Sequence, residues 1–588
     1  MGSRSRHRIA LLACLGLVVG ACAPGPIDGN SARPRPSVAP PSAFPSAAPS
    51  QGAFEPMAWP ADGDAPCAQP EAPDATHGAY RGELRRIEAI DPTTVRFELC
   101  TPDVAFRAKV SSPALTIDDT AWLQEHADGG SGTPDLARNP NGTGPYRLSA
   151  WRAGEDVELA RSDDYHGDAA KAAAIVFRWS SDPTAPLQEL HDSAVDGIAV
   201  VAPEDVADAS QDFELDVRGR DGLSIGYLGW NSSFAPFDDE RVRQALASGL
   251  DRTALVQSSY PVGTEVASYF NPCAIPDGCV GKDWYGYDPL AAKDLLTKAG
   301  FESGFTTTLS YIESPRDYLP DPPKIAAAIA SQLQEHLGIT VKLRPRPLED
   351  LLADVDGGRI DGLYLLGSRP RYPDASFLLN AHFGKGSEQF GPPHADIVKA
   401  LDDASSTSDL TKRTAAYKKA NDAIRKHAVM IPLAHVGSTV AYRADVTGVT
   451  VSPTGVDAFG AFQPGDRSQF AFMQPTEPTS LSCPDATDVD TLRVCAQVAE
   501  GLYRTSAESA RPLPSLADQC KANEDLTVWT CTLEAGVRFH DGSTLDANDV
   551  VLSFAVQWDA EHPLRQRDAR YTAFTERFGG FLHPRVGG

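Results

Sequence analysis

Helically spaced apolar residues, alternating with short extended runs, restrict the fold of this sequence more than any other feature. Asp239 opens one helical stretch, in which Val242, Ala245, Leu246 and Leu250 fall on a single stripe. Asp288 and Pro289 open a second, with Ala291, Ala292, Leu295 and Leu296 turned inward and Gly300 past its end. A third helix is expected over residues 323–336, followed by Gly338 and an extended run over 339–343, and a fourth over 410–427. Further extended runs are expected around the turn Asp91-Pro92, over 145–151, over 156–160 and over 223–228. Alternation of this kind packs helices against sheets, so the expected class is α/β. No repeat at a period of about 20–50 residues points to a solenoid.

The chain has 588 residues, too many for one hydrophobic core, and about 150 residues per domain predicts two large lobes or roughly four units. Asp and Glu total 79 against 53 Lys and Arg, a formal charge of -26. A nucleic-acid binder needs a basic face to replace phosphate counterions, so that class is excluded.

Export is expected from the start of the chain. Arg4, Arg6, His7 and Arg8 precede an apolar stretch over residues 9–19, too short to span a bilayer, which ends in Val19-Gly20-Ala21-Cys22. This ending resembles a lipobox, in which Cys22 is lipidated and becomes the new N-terminus. Residues 1–22 are therefore expected to be a lipoprotein signal peptide. Residues 23–56, rich in Pro, Ala and Ser, should form a disordered tether to the outer face of the cell membrane.

Eight further cysteines agree with an oxidising compartment: Cys67, Cys100, Cys273, Cys279, Cys483, Cys495, Cys520 and Cys531. Two pairs are favoured locally. Cys273 and Cys279 flank a turn sequence, and Cys520 and Cys531 flank a hairpin turn at residues 521–525; the pairing of the other four stays open. The spacing lacks C-x-x-C and H-E-x-x-H, so no metal and no cofactor is expected. GLSIG at residues 222–226 fits the G-x-S-x-G pattern of a hydrolase nucleophile elbow. That elbow needs a strand–turn–helix context, whereas residues 223–228 read as a strand, so an enzyme is not expected. His540 reads as structural.

Four blocks resemble one family. NPNGTGPY (139–146), Trp151 and DYHG (164–167) form the first; YLGWN (227–231), PFDDERVRQAL (236–246) and DR (251–252) form the second. YDP (287–289) with Ala291, Lys293, Leu296 and Gly300 is the third, and FHDGS (539–543) with DVVLSF (549–554) the fourth. Together they resemble extracellular solute-binding protein family 5, the peptide- and nickel-type binding proteins of ABC importers. The FHDG block opens that family's sequences, yet here it comes last. Residues from about Gln469 onward resemble the family's opening segment, and residues 446–462 its closing one. A circular permutation, with the old ends joined near residues 463–466, is the simplest account; a truncated duplication is the rival.

The resemblance implies a two-lobed periplasmic-binding-protein-like fold (type II, cluster C) with a hinge and an interlobe cleft. One lobe would comprise residues 57–225 and 445–588, the other 226–444. Such a protein would be a monomer that captures a peptide or other small ligand in the cleft and delivers it to ABC permease subunits. A sensor or scaffold lipoprotein that keeps the fold is the alternative. Implied cleft residues are Thr476, Glu477, Pro478, Trp230, Asn231, Arg369, Arg371, Tyr372 and Asp374. In the family an aspartate just before the tyrosine of a "GWxADYPDP"-like stretch binds the peptide amino terminus. The matching GSRPRYPD (367–374) puts Arg371 there, and two arginines in a cleft favour a carboxylate or other anion. Asp374 could substitute or could cap the following helix.

Overall fold

The computed structural model describes residues 54–67, 80–126, 136–566 and 569–583. The signal, Cys22 and most of the tether lie outside the described residues. Three sheets carry the fold. A six-stranded sheet runs in the order Glu265–Val266, Met430–His435, Ile225–Trp230, Leu363–Ser368, Thr306–Tyr311 and Thr340–Pro345. A seven-stranded sheet runs in the order Tyr146–Arg152, Asp156–Arg161, Ala174–Trp179, Gln469–Gln474, Gly197–Ile198, Ser438–Arg443 and Leu215–Arg220. A five-stranded antiparallel sheet consists of Ala58–Trp59, Leu84–Asp91, Thr94–Leu99, Val528–Leu533 and Ala517–Ala522. Among the described residues, no helix is long and apolar enough to cross a membrane.

The expected helices form where their caps say they should. The Asp239 carboxylate accepts from Arg241 N at the start of Glu240–Gly249, and Asp288 accepts from Ala291 N at the start of Pro289–Lys298. Pro322–Leu337 stops at Gly338, whose φ of 70° is the left-handed conformation a glycine adopts without a Cβ clash. The 410–427 stretch is helix Leu410–His427.

Late sequence completes sheets begun by early sequence. Gln469–Gln474 pairs in parallel with Ala174–Trp179 on one side and with Gly197–Ile198 on the other. Val528–Leu533 pairs with Thr94–Leu99. Helix Ala547–Trp558 covers the five-stranded sheet, with Phe554 edge-on to Phe97 at 5.1 Å. Glu83 N donates to Phe578 O at 2.7 Å.

Two crossovers join the six- and seven-stranded sheets. Leu215–Arg220 continues through residues 221–224 into Ile225–Trp230, and Met430–His435 through 436–437 into Ser438–Arg443. Ser438 pairs with Arg220 and His435 with Ile225, so the two links run side by side. A Cβ on Gly222 would sit 2.0 Å from Val436 O, so only glycine permits this backbone approach. The expected boundary is corrected here. Ser438–Arg443, assigned to the 226–444 lobe, belongs to the seven-stranded sheet because its whole length pairs with Leu215–Arg220.

Among the described residues there are four disulfides: Cys67–Cys100, which spans 33 residues and lies just after Thr94–Leu99, and the shorter-range Cys273–Cys279, Cys483–Cys495 and Cys520–Cys531. The last closes a directly opposed cross-strand pair.

Candidate functional site

Most of the expected site residues lie on two segments that follow central strands. From the six-stranded sheet, Leu363–Ser368 delivers residues 369–374. Arg369 is 70% exposed and lies 3.7 Å from Asp317. Arg371 is exposed, its guanidinium 6.0 Å from the Phe377 ring. Tyr372 is half-buried, and Lys109 of the other lobe holds its ammonium 5.1 Å from the Tyr372 ring. Tyr318 packs over Gly367; a Cβ on that glycine would meet its ring at 2.3 Å.

Lys109 is buried and ion-paired with Glu83 and, at 2.9 Å, with Asp103. Burial would lower its pKa, but the two carboxylates outweigh burial and hold the ammonium charged. The charge is therefore fixed beneath Tyr372 as part of the contact between the lobes.

From the seven-stranded sheet, Gln469–Gln474 delivers residues 475–478. Glu477 accepts from Trp151 Nε1 at 3.0 Å and from Gly154 N at 3.1 Å. Thr476 Oγ1 donates to Asp490 Oδ2 at 2.7 Å, and Pro478 is buried. The side chains of Thr476 and Glu477 are thus engaged within their own lobe, and the exposed chain at 475–476 is what this segment presents to solvent.

Three expected site residues have structural roles instead. Trp230 is fully buried and stacks on Phe237 with ring centroids 6.0 Å apart. Asn231 donates to Gly358 O and Glu388 O and accepts from Ser233 N, which ties the end of its strand to two loops. Asp374 is the helix cap: it accepts from Ser376 N at 2.9 Å and pairs with buried Arg413 at 2.8 Å. Despite burial, Arg413 keeps the Asp374 carboxyl below the usual range. Ser224 is buried in a crossover that leads into a strand, so GLSIG lacks the elbow geometry. His540 Nε2 lies 2.9 Å from Gly144 O in a turn contact. Among the described residues, no cluster of three or more His, Cys, Asp or Glu could hold a metal ion.

Sequence reasoning missed Lys109 and Tyr318. Lys109 did leave a signal, as one of two cations, with Arg107, in the otherwise apolar run 104–110.

The six- and seven-stranded sheets, linked by paired glycine-containing crossovers, and the contact of Lys109, beside the five-stranded sheet, with Tyr372 give the two-lobed form of a binding protein. The model for bacterial extracellular solute-binding proteins, family 5, matches residues 47–390 and 511–575, and this chain belongs to that family. It is 26% identical over 402 residues to di/tripeptide-binding protein 1 of Pseudomonas aeruginosa, covering 66% of this chain and 73% of the relative. It is also 26% identical to the dipeptide-binding protein of Escherichia coli, covering 64% and 71%. Heme-binding protein A of Haemophilus influenzae is equally similar at 26%, covering 64% and 69%. The structure of HbpA2 from Haemophilus parasuis shares the fold at 24% identity and a TM-score of 0.60, over 65% of this chain and 75% of that one.

Proposed function

We propose that this chain is a lipid-anchored, monomeric solute receptor that binds a peptide or peptide-like ligand between its lobes and hands it to the permease of an ABC importer. The carrying observation is the pair of adjacent crossovers at residues 221–224 and 436–437, which gives the lobes one axis about which to close. The names of the two peptide-binding relatives support a peptide ligand, and the heme-binding relative widens the range of solutes to be tested. Cys22 would carry the lipid and place the receptor on the outer face of the membrane. In this reading the lobes are circularly permuted. The Glu83–Phe578 hydrogen bond supports the permutation, since it sets the described C-terminal end beside the start of the first lobe.

The test is to purify the protein, extract it under denaturing conditions and identify co-purified solutes by mass spectrometry. The candidates are then added back in small-angle scattering and thermal melts. A true ligand contracts the particle and raises Tm. A protein that responds to no peptide, heme, metal complex or small anion would be the scaffold alternative.

A further inference from the structure

The lobes also touch through backbone alone. Ala510 N donates to Ala274 O at 2.9 Å. Ala510 stands at the tip of the first-lobe hairpin formed by Tyr503–Thr505 and Pro512–Pro514, a tip closed by a hydrogen bond from Ser506 N to Arg511 O at 2.8 Å. Most of that tip meets water: Glu508 and Arg511 are exposed, and Ser506, Ala507 and Ser509 are half-buried. Ala510 is nevertheless fully buried, and Ala274 is buried too. A buried residue at the end of a projecting hairpin needs cover from another part of the chain. The hydrogen bond identifies that part as the 273–279 loop of the second lobe.

The 273–279 loop is built to present that carbonyl. Cys273 and Cys279 close it, Ile275 N donates to Pro272 O at 3.1 Å and Gly278 N donates to Ile275 O at 2.9 Å. Asp277 has a φ of 62°, a left-handed conformation that is costly for a residue with a Cβ, and Thr414 Oγ1 donates to its carboxylate at 2.6 Å. Asn271 Nδ2 donates to Ala375 O at 3.2 Å, which ties the loop to the residue after Asp374. A strained turn keeps its shape only while its surroundings hold it, and here the disulfide fixes both ends. This disulfide is also the one most open to a reductant. Cys273 is exposed and Cys279 half-buried, whereas Cys67 and Cys100 are both half-buried and Cys483, Cys495, Cys520 and Cys531 are buried. Access is one of the factors that set the rate of thiol–disulfide exchange.

We propose that the Cys273–Cys279 loop and the 506–511 hairpin tip form a redox-sensitive latch that holds the lobes together. A dithiol reductant gives the disulfide two electrons and two protons, leaving two cysteine thiols, and is itself oxidised to a disulfide. The freed loop relaxes, the Ala274 carbonyl leaves Ala510, and the equilibrium moves towards open lobes and faster release of a bound solute. The latch rests on the two-lobed reading and not on the identity of the solute, so its test needs no ligand. Mature full-length protein, oxidised or mildly reduced with dithiothreitol, is compared with the Cys273→Ser/Cys279→Ser double variant by hydrogen exchange and small-angle scattering. The peptide covering 506–511 is expected to exchange about fivefold or more faster in the reduced and variant forms, which should also show a larger radius of gyration. Reoxidation of the wild type should reverse both changes, and thiol labelling should mark Cys273 and Cys279 before any other disulfide cysteine. Ala510→Pro removes the donor and should open the lobes with the disulfide intact, which keeps the claim testable if the serine variant folds poorly. Equal exchange and equal size in oxidised and reduced protein would overturn the latch and leave the solute-receptor reading standing. Free exchange of 506–511 in the oxidised protein would show that the contact does not form in solution, and earlier labelling of another cysteine pair would overturn the redox control.

Discussion

The backbone N–H of Glu83 donates to the carbonyl of Phe578 at 2.7 Å, joining the first strands of the fold to its last helix. Gln469–Gln474 likewise lies inside the seven-stranded sheet, flanked on both sides by early strands. Residues 465–588 are therefore no separable appendix. Deleting them removes an interior strand of the seven-stranded sheet and two of the five strands of the five-stranded sheet, leaving unpaired edges and a bare apolar face. The truncated chain is expected to aggregate or to lose its cooperative thermal transition; a soluble monomer that melts cooperatively would refute the interlocked arrangement.

His166 links two segments of the first lobe. Its Nε2 lies 2.9 Å from Glu500 and its Nδ1 3.3 Å from Glu534. Burial lowers its pKa, but the Glu500 hydrogen bond and the charges of both glutamates outweigh burial and raise it above the ordinary value. A histidine raised in the folded state gives stability that is full below its unfolded pKa of about 6.5 and is lost as pH climbs through the folded value. The Tm gap between wild type and His166→Gln should thus be wide near pH 6 and narrow near pH 9. Asp549, pushed by burial up to about 7, titrates in both proteins and cancels in the difference. A gap that widens with pH would contradict the assignment.

Asp374→Ala should lose a cap and strand the buried Arg413 charge. The expected loss is about 3–5 kcal/mol in denaturant unfolding. A variant of normal stability that fails only in ligand binding would return Asp374 to the site.

Cys520 and Cys531 face each other across adjacent strands. Replacing both by Ala should lower stability by about 2–4 kcal/mol. Peptide mapping without reductant should recover the two as one linked fragment, and two free thiols would remove the claim.

Cys22→Ala should release the protein from the membrane, because the tether then carries no acyl chain. Retention of the variant in the membrane fraction at high salt would show a different anchor.

How far the sequence could be read depended on the range of the interactions involved. Helix Leu410–His427 and the caps at Asp239 and Asp288 follow from spacing and from side chains two or three residues away. The Cys273–Cys279 and Cys520–Cys531 pairs follow from short loops. Family motifs carried the two-lobed fold but misplaced Trp230 and Asn231. The YLGWN block marks a strand whose end is buried in the second lobe, and a motif does not say which way a side chain points.

The sequence by itself therefore determined the α/β class, the local caps and turns, the family and the cationic 369–371 loop, all of which rest on neighbouring residues or on matched motifs. The tertiary structure alone decided that Ser438–Arg443 pairs with Leu215–Arg220, that Asp374 answers Arg413, and that Lys109 stands against both Tyr372 and Phe578. Those relationships join residues far apart in the chain. Burial and pairing at such distances are set by how whole sheets stack, which local spacing does not encode.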